Sequence, residues 1–142
     1  KKPDLTMILN GALAGLVSIT AEPLMPGLGQ ATLIGAVGGV IVVFTVPMLD
    51  RLKIDDVVGA VPVHLFAGIW GTLAVVLTNP GATLLAQFTG IIVIGVFVTI
   101  TSSALWLVLK STVGLRVDEE AEINGLDISE LGMESWPEFA KG

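Results

Sequence analysis

Asp55-Asp56-Val57-Val58-Gly59-Ala60-Val61-Pro62-Val63-His64-Leu65-Phe66-Ala67-Gly68-Ile69-Trp70-Gly71 holds the only histidine of the chain. No Lys, Arg, Asp or Glu occurs from Val57 through Leu77. A titratable imidazole in an uncharged run of that length is either buried in protein or faces a polar cavity. An ionisable group in such a run costs several kcal/mol unless its polar atoms are satisfied, and histidine, neutral above about pH 6.5, is the mildest case. Two readings stay open on these residues: an imidazole hydrogen-bonded across a helix interface, or one that lines a passage. On an ideal helix His64 shares a face with Ala67, Gly68 and Gly71, and small residues beside a polar one leave room. Pro62 lacks an amide hydrogen. If Gly59 caps the helix, Pro62 sits harmlessly in its first turn; if Asp56 caps it, a carbonyl is left free near His64. The sequence allows both.

The surroundings of this run are as apolar as the run itself. Of 142 residues, 53% are hydrophobic and only 14% charged, against about 25% charged in a soluble domain; the mean hydropathy is +0.86. Such a chain takes lipid as its solvent, which predicts an all-α, polytopic membrane helix bundle. Uncharged runs place spans at about 5–21, 31–49, 57–77 and 84–109. Residues 1–112 thus form a transmembrane region and residues 113–142 a polar tail, which carries most of the acids. Gly11 and Gly15 in the first span, and Gly35, Gly38 and Gly39 in the second, form smooth faces where helices approach closely. Glu22-Pro23 through Gly29, Asp50 through Asp56, and Thr78-Asn79-Pro80-Gly81 read as loops. The fourth run exceeds what a bilayer needs, so it tilts or extends beyond it, and Trp106 near its end suits a membrane interface. In the tail, Gly125 is expected to end a short helix.

Lys1, Lys2, Arg51, Lys53, Lys110 and Arg116 all fall on one side of the four spans, while the loops around Glu22 and Asn79 have no Lys or Arg. The positive-inside rule then puts both ends of the chain in the cytoplasm. The net charge of −6 and the absence of a basic patch exclude nucleic acid as a partner. No cysteine is present, and one histidine without a carboxylate inside the spans makes no metal site. Ser102 and Ser103 have no base nearby in sequence, so nucleophilic catalysis has no support and no enzyme is expected. No cofactor motif is visible. The chain opens on Lys1 without a signal peptide, which predicts a fragment or a processed piece.

Asp55-Asp56, Val63-His64 and Ala67-Gly68-Ile69-Trp70-Gly71 together resemble the tenth transmembrane helix of the ammonium transporters, the Amt/Mep/Rh family. Leu9-Asn10-Gly11-Ala12-Leu13-Ala14-Gly15-Leu16-Val17-Ser18-Ile19-Thr20 resembles the eighth helix. Gly114-Leu115-Arg116-Val117, Glu119-Glu120 and Gly125-Leu126-Asp127-Ile128-Ser129-Glu130 resemble the cytoplasmic C-terminal region. The resemblance implies helices eight to eleven of an eleven-helix, inverted-repeat fold that assembles as a homotrimer in the cell (inner) membrane. The remainder of the same subunit would supply the first pore histidine, the external recruitment site and the phenylalanine gate. It implies a channel-like ammonium/ammonia transporter in which His64 is the second of two pore histidines. Arg116, Glu119, Glu120, Gly125 and Asp127 would then belong to a regulatory tail that touches neighbouring subunits and often a PII signalling protein. Gly59, Pro62, Leu65 and Leu131 depart from residues common in the family; Leu65 is bulkier and alters the width beside His64. The rival reading is a membrane interaction or ammonium-sensor module in which His64 only packs.

Overall fold

A computed structural model describes residues 2–135. Lys1, which contributes to the charge pattern above, and the end of the tail beyond Ser135 lie outside the described residues. The described chain is all-helical, in the order α1 (Leu5–Ile19), α2 (Leu28–Arg51), a third helix spanning Val61–Leu77 whose middle is α3 (Ala67–Ala74), α4 (Leu84–Thr112), α5 (Glu119–Asn124) and α6 (Leu126–Leu131). It divides into two compact units whose boundary falls inside α4, after Val96.

Each boundary has a local cause. The Asp4 carboxylate accepts from the Met7 amide and starts α1. Thr20 returns its amide and its hydroxyl to the Val17 carbonyl, and the first span therefore stops at Ile19 rather than continuing to residue 21. The second begins earlier than expected, at Leu28, because the Gln30 side chain reaches back to the Gly27 amide at 3.0 Å. It also runs past Pro47 and takes in Asp50 and Arg51, expected as loop; a cation in the last turn suits the carbonyl end of a helix. Thr83 accepts from the Ala86 amide at the start of α4, which extends to Thr112 where an end near 109 was expected.

α1 and α2 are antiparallel and pack glycine on glycine. A Cβ on Gly15 would lie 3.4 Å from the Gly35 carbonyl oxygen, and one on Gly39 would lie 3.4 Å from that of Gly11. Gly38 sits against Ser18 and, at 2.8 Å from a built Cβ, the Ala14 carbonyl. The backbones meet because nothing stands between them, as the small-residue spacing predicted. The buried cluster is correspondingly small: Ala14, Val42, Val63 and Ala67, flanked by Met7, Val17 and Val46. Ile34 and Leu49 are also buried, most of the other large apolar side chains are exposed, and α4 has no buried residue among those described.

α2 and α4 are long and apolar enough to cross a membrane; α1 and Val61–Leu77 are shorter apolar helices. At about 1.5 Å per residue α2 reaches about 36 Å and α1 only about 22 Å. Two cross-links hold the first unit at one end and along its length. The Asn79 amide donates to Glu22 at 2.9 Å, joining the loop after α1 to the loop after Leu77. The Trp70 indole donates to the Ile34 carbonyl at 3.0 Å.

Candidate functional site

The helix that carries His64 begins at Ala60, after a turn in which Gly59 takes φ +77°, the left-handed region that favours glycine. The donors of its first turn are all accounted for. Both oxygens of the half-buried Asp56 carboxylate accept, from the Ala60 and Val61 amides, each at 2.8 Å. Pro62 has no amide hydrogen to satisfy. Val63 makes the first backbone bond, to the Gly59 carbonyl at 3.1 Å. Pro62 therefore lies in the first turn and Asp56 supplies the side-chain cap, so each of the two alternatives left open in the sequence contributes a part. The Val58 carbonyl, just outside the helix, accepts from the buried Asn10 side chain of α1 at 3.1 Å. A Cβ on Gly59 would stand 2.5 Å from that same Asn10 nitrogen.

Val61–Phe66 is a π-helical turn, closed by the Ala67 amide on the Pro62 carbonyl. One extra residue in the turn shifts the register that follows it. An ideal helix would put Ala67 and Gly71 on the histidine's face; instead both are buried, with Ala67 in the core cluster and Gly71 pressed on the Ser18 backbone. Ser18, also buried, donates to the Ala14 carbonyl at 2.7 Å and approaches the Ala67 carbonyl at 3.4 Å. His64, by contrast, is exposed. It lines an open groove of about 430 Å³ with Leu65, Gly68, Ile69 and Thr72, faced by Gln87, Gly90, Ile91, Ile94 and Gly95 of α4. Of the grouping expected around His64, only Gly68 remains beside it.

The groove is apolar apart from His64, Thr72 and Gln87. The Thr72 hydroxyl donates to the Gly68 carbonyl at 2.9 Å, leaving its oxygen as an acceptor. A Cβ on Gly90 or Gly95 would meet nothing within 4 Å. Leu65 stands in the same groove, where its bulk was expected to matter. A neutral imidazole here offers one donor and one acceptor nitrogen. Among the described residues no group of three or more His, Cys, Asp or Glu could hold a metal ion.

The tail residues sit in a second, local network. Asp118, unforeseen in the sequence, caps α5 by accepting from the Ala121 amide at 2.7 Å. Glu119 and Glu120 follow in the first turn, where acids suit the positive end of a helix. Arg116 pairs with Glu122, both largely exposed, and not with Glu119 or Glu120. Gly125 ends α5 at φ +97°, as expected. Asp127 accepts from the Ser135 amide at 2.8 Å and the Ile128 amide at 3.0 Å. The Ser135 bond, more than the Ile128 bond, holds its carboxyl below the ordinary carboxylate value, against a smaller opposing effect of desolvation. The signal for Asp118 was available as an N-cap residue before an acidic run. Asn10 was visible only as a lone amide in an otherwise uncharged span.

Sequence comparison places this arrangement among known proteins. The family model described as Ammonium Transporter Family matches residues 1–136. The chain is 45% identical over 134 residues to the ammonium-transporter relative sll1017 of Synechocystis sp., covering 93% of this chain and 30% of that protein. It is 36% identical to ammonium transporter Amt2 of Archaeoglobus fulgidus, covering 97% of this chain and 34% of that protein. Ammonium transporter Amt1 of Haloferax mediterranei is 40% identical, with 97% and 28% covered. The chain thus spans about a third of the length of the curated relatives it matches. With most of its residues matched in one continuous stretch, the chain belongs to the ammonium transporter family.

Proposed function

We propose that the protein containing this chain is a channel-like ammonium/ammonia transporter and that His64 is one imidazole of its pore. One observation carries the reading. The single histidine of an apolar helix is not used for packing; a π turn presents it to an open, apolar groove with Thr72 and Gln87 as its polar neighbours. Moving a small cation into such a lining costs several kcal/mol or more, whereas a neutral amine is far less penalised. An imidazole that accepts a hydrogen bond or a proton from ammonium lowers that barrier, and it discriminates against potassium, which has no proton to give up.

The same reading assigns residues 1–112 to the cell (inner) membrane and residues 113–142 to the cytoplasm, with both ends of the chain on the cytoplasmic side. Arg116, Glu119, Glu120, Gly125 and Asp127 are then a regulatory tail of a homotrimer, with a PII signalling protein as its soluble partner. His64→Ala in the complete protein tests the pore role. Trimer assembly should survive in that variant. Ammonium-dependent transport should fall by about a hundredfold, the lower end of what a positioned proton-transferring group contributes. Uptake, selectivity and proton coupling identical to wild type would remove His64 from the pore.

A further inference from the structure

We infer that Asn10 and Asp56 are positioning residues for His64, acting through the start of the helix that carries it. This rests on the pore reading above. The Asp56 carboxylate takes the two free amides of the first turn, at Ala60 and Val61. Asn10 fixes the carbonyl of Val58, the residue before the left-handed Gly59, from a different helix 48 residues away. Its side-chain nitrogen also occupies the space that a Cβ on Gly59 would fill. Between them they set where the chain enters the helix and at what rotation. The entry lies directly before the π turn, so the rotation set at Ala60 is carried to His64 through only Val61, Pro62 and Val63. Pro62 has no amide to donate there, although its carbonyl accepts from the Ala67 amide. The position of the imidazole therefore depends on these two side chains as well as on the helix ladder.

Asn10 is buried and Asp56 half-buried, and neither lines the groove. Their effect on transport would be indirect, and a displacement of even about 1 Å at a reacting group is costly. Asn10→Ala removes the donor to Val58. Asp56→Asn keeps one acceptor and loses the other, with little change in shape, so it carries the test if Asn10→Ala fails to assemble.

The experiment uses the complete protein in proteoliposomes. Ammonium-evoked current is recorded against pH and ammonium concentration for wild type, Asn10→Ala, Asp56→Asn, His64→Ala and the double variant Asn10→Ala/His64→Ala. Hydrogen–deuterium exchange is followed across residues 60–67 in the same preparations. The expected result is a maximum current lowered about tenfold in each positioning variant, the size associated with one lost charge-assisted or buried hydrogen bond. The pH profile should shift and the half-saturating concentration should not. Exchange across residues 60–67 should rise, and the double variant should match His64→Ala. Wild-type exchange in both variants, or losses that multiply in the double variant, would overturn the inference. Raised exchange in the positioning variants beside a His64→Ala protein that transports like wild type would instead sink the pore reading.

Discussion

A methyl group on Gly71 would run into the Ser18 carbonyl, and one on Gly38 into the Ser18 hydroxyl and the Ala14 carbonyl. Backbone cannot step aside as the end of a flexible side chain can. Gly71→Ala and Gly38→Ala are therefore expected to destabilise the protein by about 1–3 kcal/mol, the range for overpacking a close contact. Gly11→Ala is the control: a Cβ there meets nothing within 4 Å, so stability should stay within about 0.5 kcal/mol. Thermal unfolding of the detergent-solubilised protein measures these changes, and equal effects at Gly11 and Gly71 would contradict the packing. The comparison also marks how far residue-level reading went. Gly11 and Gly15 were legible as a smooth face from their spacing, and Gly15 does meet Gly35. Gly11 contributes its carbonyl, not its own bare Cα, to the contact with Gly39, and spacing has no means of separating those two cases. Asn10 shows the same limit from the polar side. Its partner lies 48 residues on, and only the packing of α1 against the turn before Ala60 brings them together.

At the scale of elements, α6 is the piece whose integrity should follow pH. Asp127 sits in its first turn and accepts from the amide of Ser135, which chiefly holds its carboxyl below the ordinary value, and from that of Ile128, which adds less. A carboxyl lowered by folding stabilises the folded tail above the unfolded value, about pH 3.9. That contribution is lost progressively as pH falls from near the unfolded value through the lower folded one, so little should change between neutrality and about pH 5. The Ser135 amide resonance is expected to titrate with a midpoint below that of an unstructured Asp, and Asp127→Asn should abolish the titration. A midpoint at or above the ordinary value would mean that the Ser135 contact does not persist. Gly125 as the stop of α5 was readable because glycine after an acidic, weakly periodic run is a helix end with a conformational reason. The π turn of Val61–Phe66 was not readable. Hydrophobic spacing in an almost wholly apolar helix carries little register information, since every face is apolar and a one-residue insertion leaves the pattern intact. The existence of the four apolar helices survived that loss of register. The face of His64 did not: Ala67 and Gly71 turned to the core, Gly68 stayed at the groove, and Thr72, not among the expected neighbours, lines it too.

For the whole molecule, charge rather than packing specifies direction. The two loops without Lys or Arg are the ones joined by the Glu22–Asn79 hydrogen bond, at 2.9 Å. They therefore lie at one end of the first unit, as chain segments that cross a membrane alternately must. Arg51 and Lys53 lie in the intervening connection, between α2 and the third helix. If that connection faces the cytoplasm, as the positive-inside rule requires, residues on the two sets of loops differ in access to a membrane-impermeant thiol reagent. The chain has no cysteine, so single introduced cysteines report cleanly once any cysteine elsewhere in the complete protein has been replaced. Leu24 is 90% exposed in the loop after α1, Leu52 is 61% exposed after α2, and Val113 is 82% exposed just past α4. Leu24→Cys should react in intact cells with reagent added outside. Leu52→Cys and Val113→Cys should react only once the cytoplasmic face is opened. Labelling of Leu24→Cys and Leu52→Cys from the same side would break the alternation of α1, α2 and the third helix. Alternation with the opposite sense would leave the bundle intact and put the loop with Leu24, rather than the one with Leu52, on the cytoplasmic side.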